Sequence, residues 1–319
     1  MTKRSYAIIG TGALGGYYGA RLHHAGHEVH FLLHSDYDHV KAHGLKVESK
    51  YGDFSIEKPS VFDDPSRLPA ADVVLVALKT TNNYQLADLL PAAVHRGATV
   101  LMMQNGLGNE ALAAEALEET ADAGTHRFLC GLAFLCSHKV GPGHIKHMDY
   151  DPVRLGEFRV DNQPAGVTET VKAIAEDFAG AGVKSEVEPD LLLARFKKLV
   201  WNVPYNGLCV LLNTTTDKLM QHPPTRALCH QLMEEVADIA RAYDRRIESA
   251  FIKQMLHDTD KMVSYEPSMK VDFNQGRPLE IGAIYLNSLL AAEEKGVRTP
   301  RIRTLYQQLS FIDGRAGAK

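Results

Sequence analysis

The first half of the chain alternates short apolar runs with stretches of helical period. Ser5–Ile9 is apolar enough for a strand, Ala13–His24 has helical spacing closed by Gly26, and Glu28–Leu33 reads as a second strand. Residues 45 to 61 read as a polar hairpin around Tyr51-Gly52-Asp53, while 72–78 and 98–103 are almost continuously apolar. Strands apolar on both faces belong in a parallel sheet covered by helices on each side. The alternation therefore predicts an α/β domain with a doubly wound parallel sheet of Rossmann type. Past about residue 188 long helical patterns take over, at 190–212, 225–243, 248–258, 279–295 and after Pro300, with Pro189-Asp190 as a start signal. The expected organisation is an α/β domain over residues 1–188 and an all-helical domain over 189–319. The polar tail from Gly314 to Lys319 is expected to fray.

Composition supports this division. At 319 residues the chain exceeds one ordinary core, and 45% hydrophobic with 23% charged residues is the profile of a globular enzyme. The 35 basic and 39 acidic residues leave a net charge of −4 with no block of one sign, which gives a nucleic-acid or membrane partner no electrostatic support. Cys130, Cys136, Cys209 and Cys229 form no Cys-x-x-Cys pair and read as free thiols in a reducing compartment. The N-terminus leads straight into a strand without an apolar signal core. No apolar run approaches the roughly 20 residues a bilayer span requires, so a soluble, cytoplasmic protein is expected. His23, His24, His27 and His30 invite a metal, but Gly26 breaks their helical spacing and they read as a surface cluster. His138, His144 and His147, beside Gly141-Pro142-Gly143, read as solvated, so no metal site is expected.

The strongest chemical signal is Gly10-Thr11-Gly12-Ala13-Leu14-Gly15, set between the first strand and the first helix. Gly10 permits a tight turn, Gly12 lets backbone approach a pyrophosphate, and Gly15 allows close helix–strand packing. The helix start adds unpaired N–H groups and partial positive charge, so a bound dinucleotide is expected. At the end of the second strand an NAD site usually carries Asp or Glu. Here His34-Ser35 occupy that junction, with Asp36 one turn further, which favours NADP (NADPH) over NAD. In open parallel sheets ligands gather at the carboxyl ends of the strands. Lys79 follows one such strand and Gln104-Asn105-Gly106 another, and together they mark the rim that would hold a nicotinamide.

In the helical half, Lys198, Asn202 and Asn206 recur every four residues along an otherwise apolar segment. Steps of about 400° keep them on one narrow stripe, and such groups on a buried helix need partners that a ligand cleft can supply. A solvated stripe is the competing reading. Pro204 removes a backbone donor and is expected to kink the helix, freeing the Val200 carbonyl. Glu280 sits at a predicted helix start, where either a first-turn residue stabilised by the helix dipole or a site carboxylate fits.

These pieces, in this order and spacing, resemble the ketopantoate reductase (2-dehydropantoate 2-reductase) family across nearly the whole chain. The resemblance is carried by Gly10-Thr-Gly-Ala-Leu-Gly15, Leu78-Lys79, Gln104-Asn105-Gly106, the Lys198/Asn202/Asn206 stripe and the stretch from Ser268 to Gly276-Arg-Pro-Leu-Glu280. It implies NADPH-dependent reduction of ketopantoate to pantoate, as in pantothenate biosynthesis. Lys198 would be the catalytic lysine and proton donor, and Glu280 the acidic residue near it. Asn202, Asn206, Ser268 and Asn105 would bind a small 2-oxo acid, with Lys79 and Asn105 lining the nicotinamide end. Two departures stand out. His34 replaces an arginine common at that junction. Glu280 is followed by Ile-Gly-Ala-Ile-Tyr-Leu, where the well-studied branch has Ile-Asp-Tyr-Ile-Asn-Gly. A different 2-oxo acid, or a dinucleotide sensor without catalysis, are the alternatives. A helical second domain can also contribute a homodimer face.

Overall fold

The computed structural model describes residues 3 to 316, with side chains to residue 314. It separates into two compact units: residues up to 104 with 109–191, and 105–108 with the chain from 192 onward.

In the first unit an eight-stranded sheet forms from the apolar runs. Ser60–Phe62, Glu28–Leu32, Ser5–Ile9, Val73–Val76, Thr99–Met102 and Arg127–Ala133 lie side by side and parallel. Val153–Glu157 then pairs antiparallel to Arg127–Ala133, and Ser185–Val187 closes that edge, so the sheet is parallel except at one margin. Ile9 is in register with both Leu32 and Val76. The chain leaves the central strand in opposite directions on its two sides, and the crevice at such a switch point is where open α/β sheets bind ligands.

The hairpin expected within 45–61 exists as Leu45–Ser49 against Phe54–Ile56, but Ser60–Phe62 leaves it for the large sheet. Its sequence-distant partner went unseen: His144–Asp149 pairs parallel to Leu45–Ser49 and antiparallel to Cys136–Gly141, completing a second, four-stranded sheet. This sheet covers the first helix, Ala13–His24. A Cβ on Gly16 would lie 2.9 Å from Ile145 Cδ1, so glycine lets this side chain pack directly on the helix. His147, expected to be solvated, is buried here, with Nδ1 2.9 Å from Ser49 Oγ and Nε2 2.8 Å from the Tyr150 carbonyl. The expected surface cluster is likewise half wrong, because His27 and His30 are buried. His27 Nδ1 accepts the Arg4 N–H at 3.3 Å, and His30 Nδ1 lies 2.9 Å from Ser60 Oγ. Among the described residues no group of three or more His, Cys, Asp or Glu converges as a metal cage would require.

The second unit contains no strand among the described residues. Its helices are Leu191–Leu211, Thr216–Gln221, Pro223–Ala242, Ser249–Asp260, Ser268–Asn274, Asn287–Glu294 and Pro300–Ala316. The first of them begins within the last residue of the first unit and runs through Pro204 as one element. The helix expected over 279–295 does not form as one piece. A π-turn occupies Gly282–Leu286 and α-helix resumes at Asn287. The last helix absorbs the expected frayed tail as far as Ala316, and residues 317–319 lie outside the described residues. No described helix is long and apolar enough to cross a membrane.

Asp177 ties the first strand to the helix Glu169–Gly180. It is buried and accepts from Arg4 Nη1 at 2.7 Å and from the Tyr6 hydroxyl at 2.5 Å. Removing it strands the buried Tyr6 hydroxyl and the half-buried Arg4 guanidinium. Asp177→Ala should lower the stability of the first unit by about 2–3 kcal/mol, read as a shift of its urea transition; an unshifted transition refutes the assignment.

Candidate functional site

The glycine turn is built by steric necessity. Gly10 has φ of +91°, and a Cβ on it would lie 2.6 Å from the Leu78 nitrogen. A Cβ on Gly15 would lie 2.4 Å from the Gly10 carbonyl oxygen and 3.0 Å from Ala77 Cβ. Gly12 differs: a Cβ there would meet nothing within 4 Å. The helix that starts after it has no side-chain cap and no acidic residue in its first turn. Thr11 anchors the turn by donating from Oγ1 to the Leu32 carbonyl at 3.1 Å. Open space over Gly12 and an uncapped helix start suit an anionic group such as a pyrophosphate.

The neighbouring strand ends at Leu32, and His34 and Ser35 are exposed just beyond it. Asp36 turns inward. Its Oδ2 accepts the Gly143 N–H at 2.9 Å and lies 2.7 Å from Lys139 Nζ, while Ser35 Oγ donates to its Oδ1 at 3.1 Å. Burial alone would push this carboxyl up; the Lys139 ammonium and the Gly143 N–H outweigh it and hold the group below the usual carboxylate range. Asp36 is thus engaged in joining the second sheet to the strand end.

At the rim, Lys79 is exposed and immediately precedes a 3₁₀ segment, Thr80–Gln85. Gln104 Nε2 donates to the Leu78 carbonyl at 2.9 Å and to Asn83 Oδ1 at 2.7 Å, and Asn83 Nδ2 donates to Asn109 Oδ1 at 3.0 Å. This amide chain fixes the two strand ends to one another. Asn105, half-buried, belongs to the helical unit together with Gly106, Leu107 and Gly108.

In the helical unit the polar stripe is not solvated. Asn202 is 7% and Asn206 2% exposed, and Lys198 is half-buried. The rest of the helix carrying them is mostly apolar and packed into the core, with Phe196, Leu199, Val203, Tyr205 and Leu208 all buried. Asn206 meets the region of Ser268. Its Oδ1 accepts the Met269 N–H at 3.1 Å and lies 3.5 Å from Ser268 Oγ. A backbone N–H only donates, so that end of the amide is the oxygen, and the NH2 is the end Asn206 can offer a ligand. Glu280 is buried at 2% exposure, immediately ahead of the first helical residue, Ile281. A buried carboxylate of this kind is unlike a solvated first-turn residue. The sequence reading passed over Arg195, which lies on the same helical face three residues before Lys198 and is buried. Burial pulls its guanidinium down to about 9, leaving it charged at neutral pH.

Two family models match the chain: Ketopantoate reductase PanE/ApbA over residues 6–159, and Ketopantoate reductase PanE/ApbA C terminal over residues 190–313. The chain belongs to the ketopantoate reductase family. It is 50% identical, over 315 residues, to the 2-dehydropantoate 2-reductase of Nostoc sp., covering 99% of this chain and 97% of that one. The crystal structure of 2-dehydropantoate 2-reductase from Geobacter metallireducens superposes with a TM-score of 0.88 at 38% identity, covering 96% of this chain and 99% of that one. A D-mandelate dehydrogenase in ternary structure with NADH and anilino(oxo)acetate shares the fold, with a TM-score of 0.85 at 19% identity and coverage of 98% and 99%. Family membership makes the chain an oxidoreductase of this class.

The Asp36 contacts generate a pH test. A carboxyl with a depressed folded pKa stabilises above its unfolded value, and that contribution disappears as pH falls through the folded value. Asp36→Asn should therefore melt lower than wild type at pH 7, with the gap closing below about pH 4. A gap that stays constant down to about pH 2–3, read by circular dichroism, would contradict this.

Proposed function

We propose that the protein reduces 2-dehydropantoate to pantoate with NADPH. The observation that carries this reading is the Lys198/Asn202/Asn206 stripe, its lysine half-buried and its two amides buried, joined at Asn206 to the Ser268 region. The half-identical Nostoc protein named 2-dehydropantoate 2-reductase supports the choice of substrate.

The residues of the glycine turn, Gly10 to Gly15, fit a dinucleotide pyrophosphate, since the space over Gly12 is open and the helix start lacks a cap of its own. The inward turn of Asp36 supports NADPH over NADH: its carboxylate is engaged by Lys139 and the Gly143 N–H, and His34 and Ser35 stand exposed where a 2′-phosphate would be read. Lys79 and Asn105 are assigned to the nicotinamide end.

When bound, the reduced nicotinamide supplies a hydride to C2 of the oxo acid. Lys198 stabilises the charge that develops on the carbonyl oxygen and donates the proton that completes the alcohol. The Asn206 NH2 and the Asn202 amide orient the substrate, Ser268 Oγ donates to its carboxylate, and Glu280 faces the nascent hydroxyl. Fixing these groups on buried helix lowers the entropic part of the barrier. A bulkier 2-oxo acid is the second reading, favoured by Gly282: it follows Glu280 by two residues, is exposed, and a Cβ there would meet nothing within 4 Å.

The test follows NADPH and NADH absorbance with ketopantoate and a panel of 2-oxo acids. Turnover should be fastest with NADPH and ketopantoate. Lys198→Ala should lose about 10²–10⁴-fold in kcat while still binding dinucleotide. Wild-type-like turnover in that variant removes the lysine's role, and a dinucleotide-binding protein inert toward every 2-oxo acid is a sensor instead.

A further inference from the structure

The π-turn at Gly282–Leu286 leaves a backbone acceptor without its helical donor. In an α-helix the Ala283 carbonyl would accept the N–H of Asn287. That N–H instead goes back one residue further, to the Gly282 carbonyl. The Ala283 oxygen is filled from outside: it accepts the Leu107 N–H at 2.9 Å. Asn287 completes the capture by donating from Nδ2 to the Leu107 carbonyl at 2.7 Å. Both polar groups of residue 107 are therefore gripped by one turn of helix, and the Leu107 side chain is buried in the helical core.

The fit is close enough to dictate sequence. Gly106 has φ of +89°, and a Cβ on it would lie 2.3 Å from the Ala283 oxygen. Gly108 has φ of +83°, and a Cβ on it would lie 3.2 Å from Asn287 Nδ2. The same π-turn holds the polar-stripe helix, since the Tyr285 hydroxyl donates to the Val203 carbonyl at 2.9 Å. Glu280 lies two residues ahead of the turn, Asn105 two residues before the gripped peptide, and Asn202 and Asn206 lie on either side of Val203.

We propose that Asn287 is a positioning residue for the reduction: acting through the Leu107 peptide, it sets the place of Asn105 relative to Glu280 and the Lys198 helix. π-turns recur at functional sites because the slip of one residue frees a backbone group for another task. Here the freed carbonyl and the amide that follows it form a two-point clasp, and Asn287 is the half of it that a side-chain substitution can remove. The assignment rests on the reductase reading for its kinetic consequence and on the clasp alone for its structural one.

The experiment compares wild type, Asn287→Ala and Asn287→Gln in the intact protein. Amide exchange of a peptide spanning residues 103–109 reads the clasp directly. In Asn287→Ala that segment should exchange about tenfold faster, since one of its two anchoring bonds is gone. Its kcat with ketopantoate should fall on the order of tenfold to a hundredfold while the NADPH Kd stays within about twofold. Asn287→Gln, which keeps an amide donor, should recover part of both. Unchanged exchange at 103–109 in Asn287→Ala overturns the clasp, and unchanged kcat with faster exchange overturns the positioning role. A wild-type protein that reduces no 2-oxo acid removes the functional reading alone, and the exchange result still decides the clasp.

Discussion

The helical unit depends on the approach of Tyr285 to the long helix at Gly207. A Cβ at Gly207 would sit 2.6 Å from the Tyr285 hydroxyl oxygen and 2.7 Å from Leu305 Cδ2, so the helices Leu191–Leu211 and Pro300–Ala316 and the π-turn converge on a position where any larger residue would displace both side chains. The phenol is fully buried, and burial holds its pKa well above the ordinary value, which keeps it a donor. Its bond to the Val203 carbonyl satisfies the one polar group an aromatic of this size brings into a core. Val203 and Gly207 each follow one of the two asparagines, about 100° further round the helix. The packing seam and the polar stripe are therefore adjacent tracks of one helix, and rigidity on the first is transmitted to the second.

Parts of this architecture that are enforced locally were legible in the sequence. Gly10 is required by its positive φ, and both Gly10 and Gly15 by atoms within a few residues or on the adjoining strand, so the motif and its setting between strand and helix announced them. The continuously apolar strands announced a parallel sheet for a similar reason, because burial on both faces writes itself into every position. The stripe was visible as a period of four, although whether it met water or protein was not. The burial of Asn202 and Asn206 follows from apolar residues around the rest of the helix, which leave no face for solvent.

What the sequence concealed depends on contacts between distant segments. In His144–Asp149 the alternation exists, yet it places His147 inward and Met148 outward, the reverse of the usual polarity. A buried histidine is tolerated there because Ser49, almost a hundred positions away by chain order, meets its Nδ1, and no local pattern encodes that partner. His30 is the same case with Ser60. The π-turn was hidden for a further reason: apolar spacing over 279–295 has the same average period whether or not the ladder slips by one residue. The slip goes together with Leu107, whose N–H fills the Ala283 carbonyl in place of the helical donor.

The site residues also show why one junction can hold two meanings. Asp36 has the chemistry and nearly the position of a ribose-binding acid, and sequence alone cannot say where its side chain goes. Lys139 and the Gly143 N–H decide it by offering a charged partner and a backbone donor at once, a better return on desolvation than a single neutral hydroxyl would give. The second sheet, which brings those two groups to the strand end, thereby does more than cover the first helix: it withdraws a negative charge from the junction and leaves His34 and Ser35 to define it. If the junction reads a dinucleotide as proposed, cofactor preference would depend on the hairpin over residues 136–149 as well as on the residue after the strand. Exchanging residue 34 alone would then shift preference less than exchanging it together with Lys139.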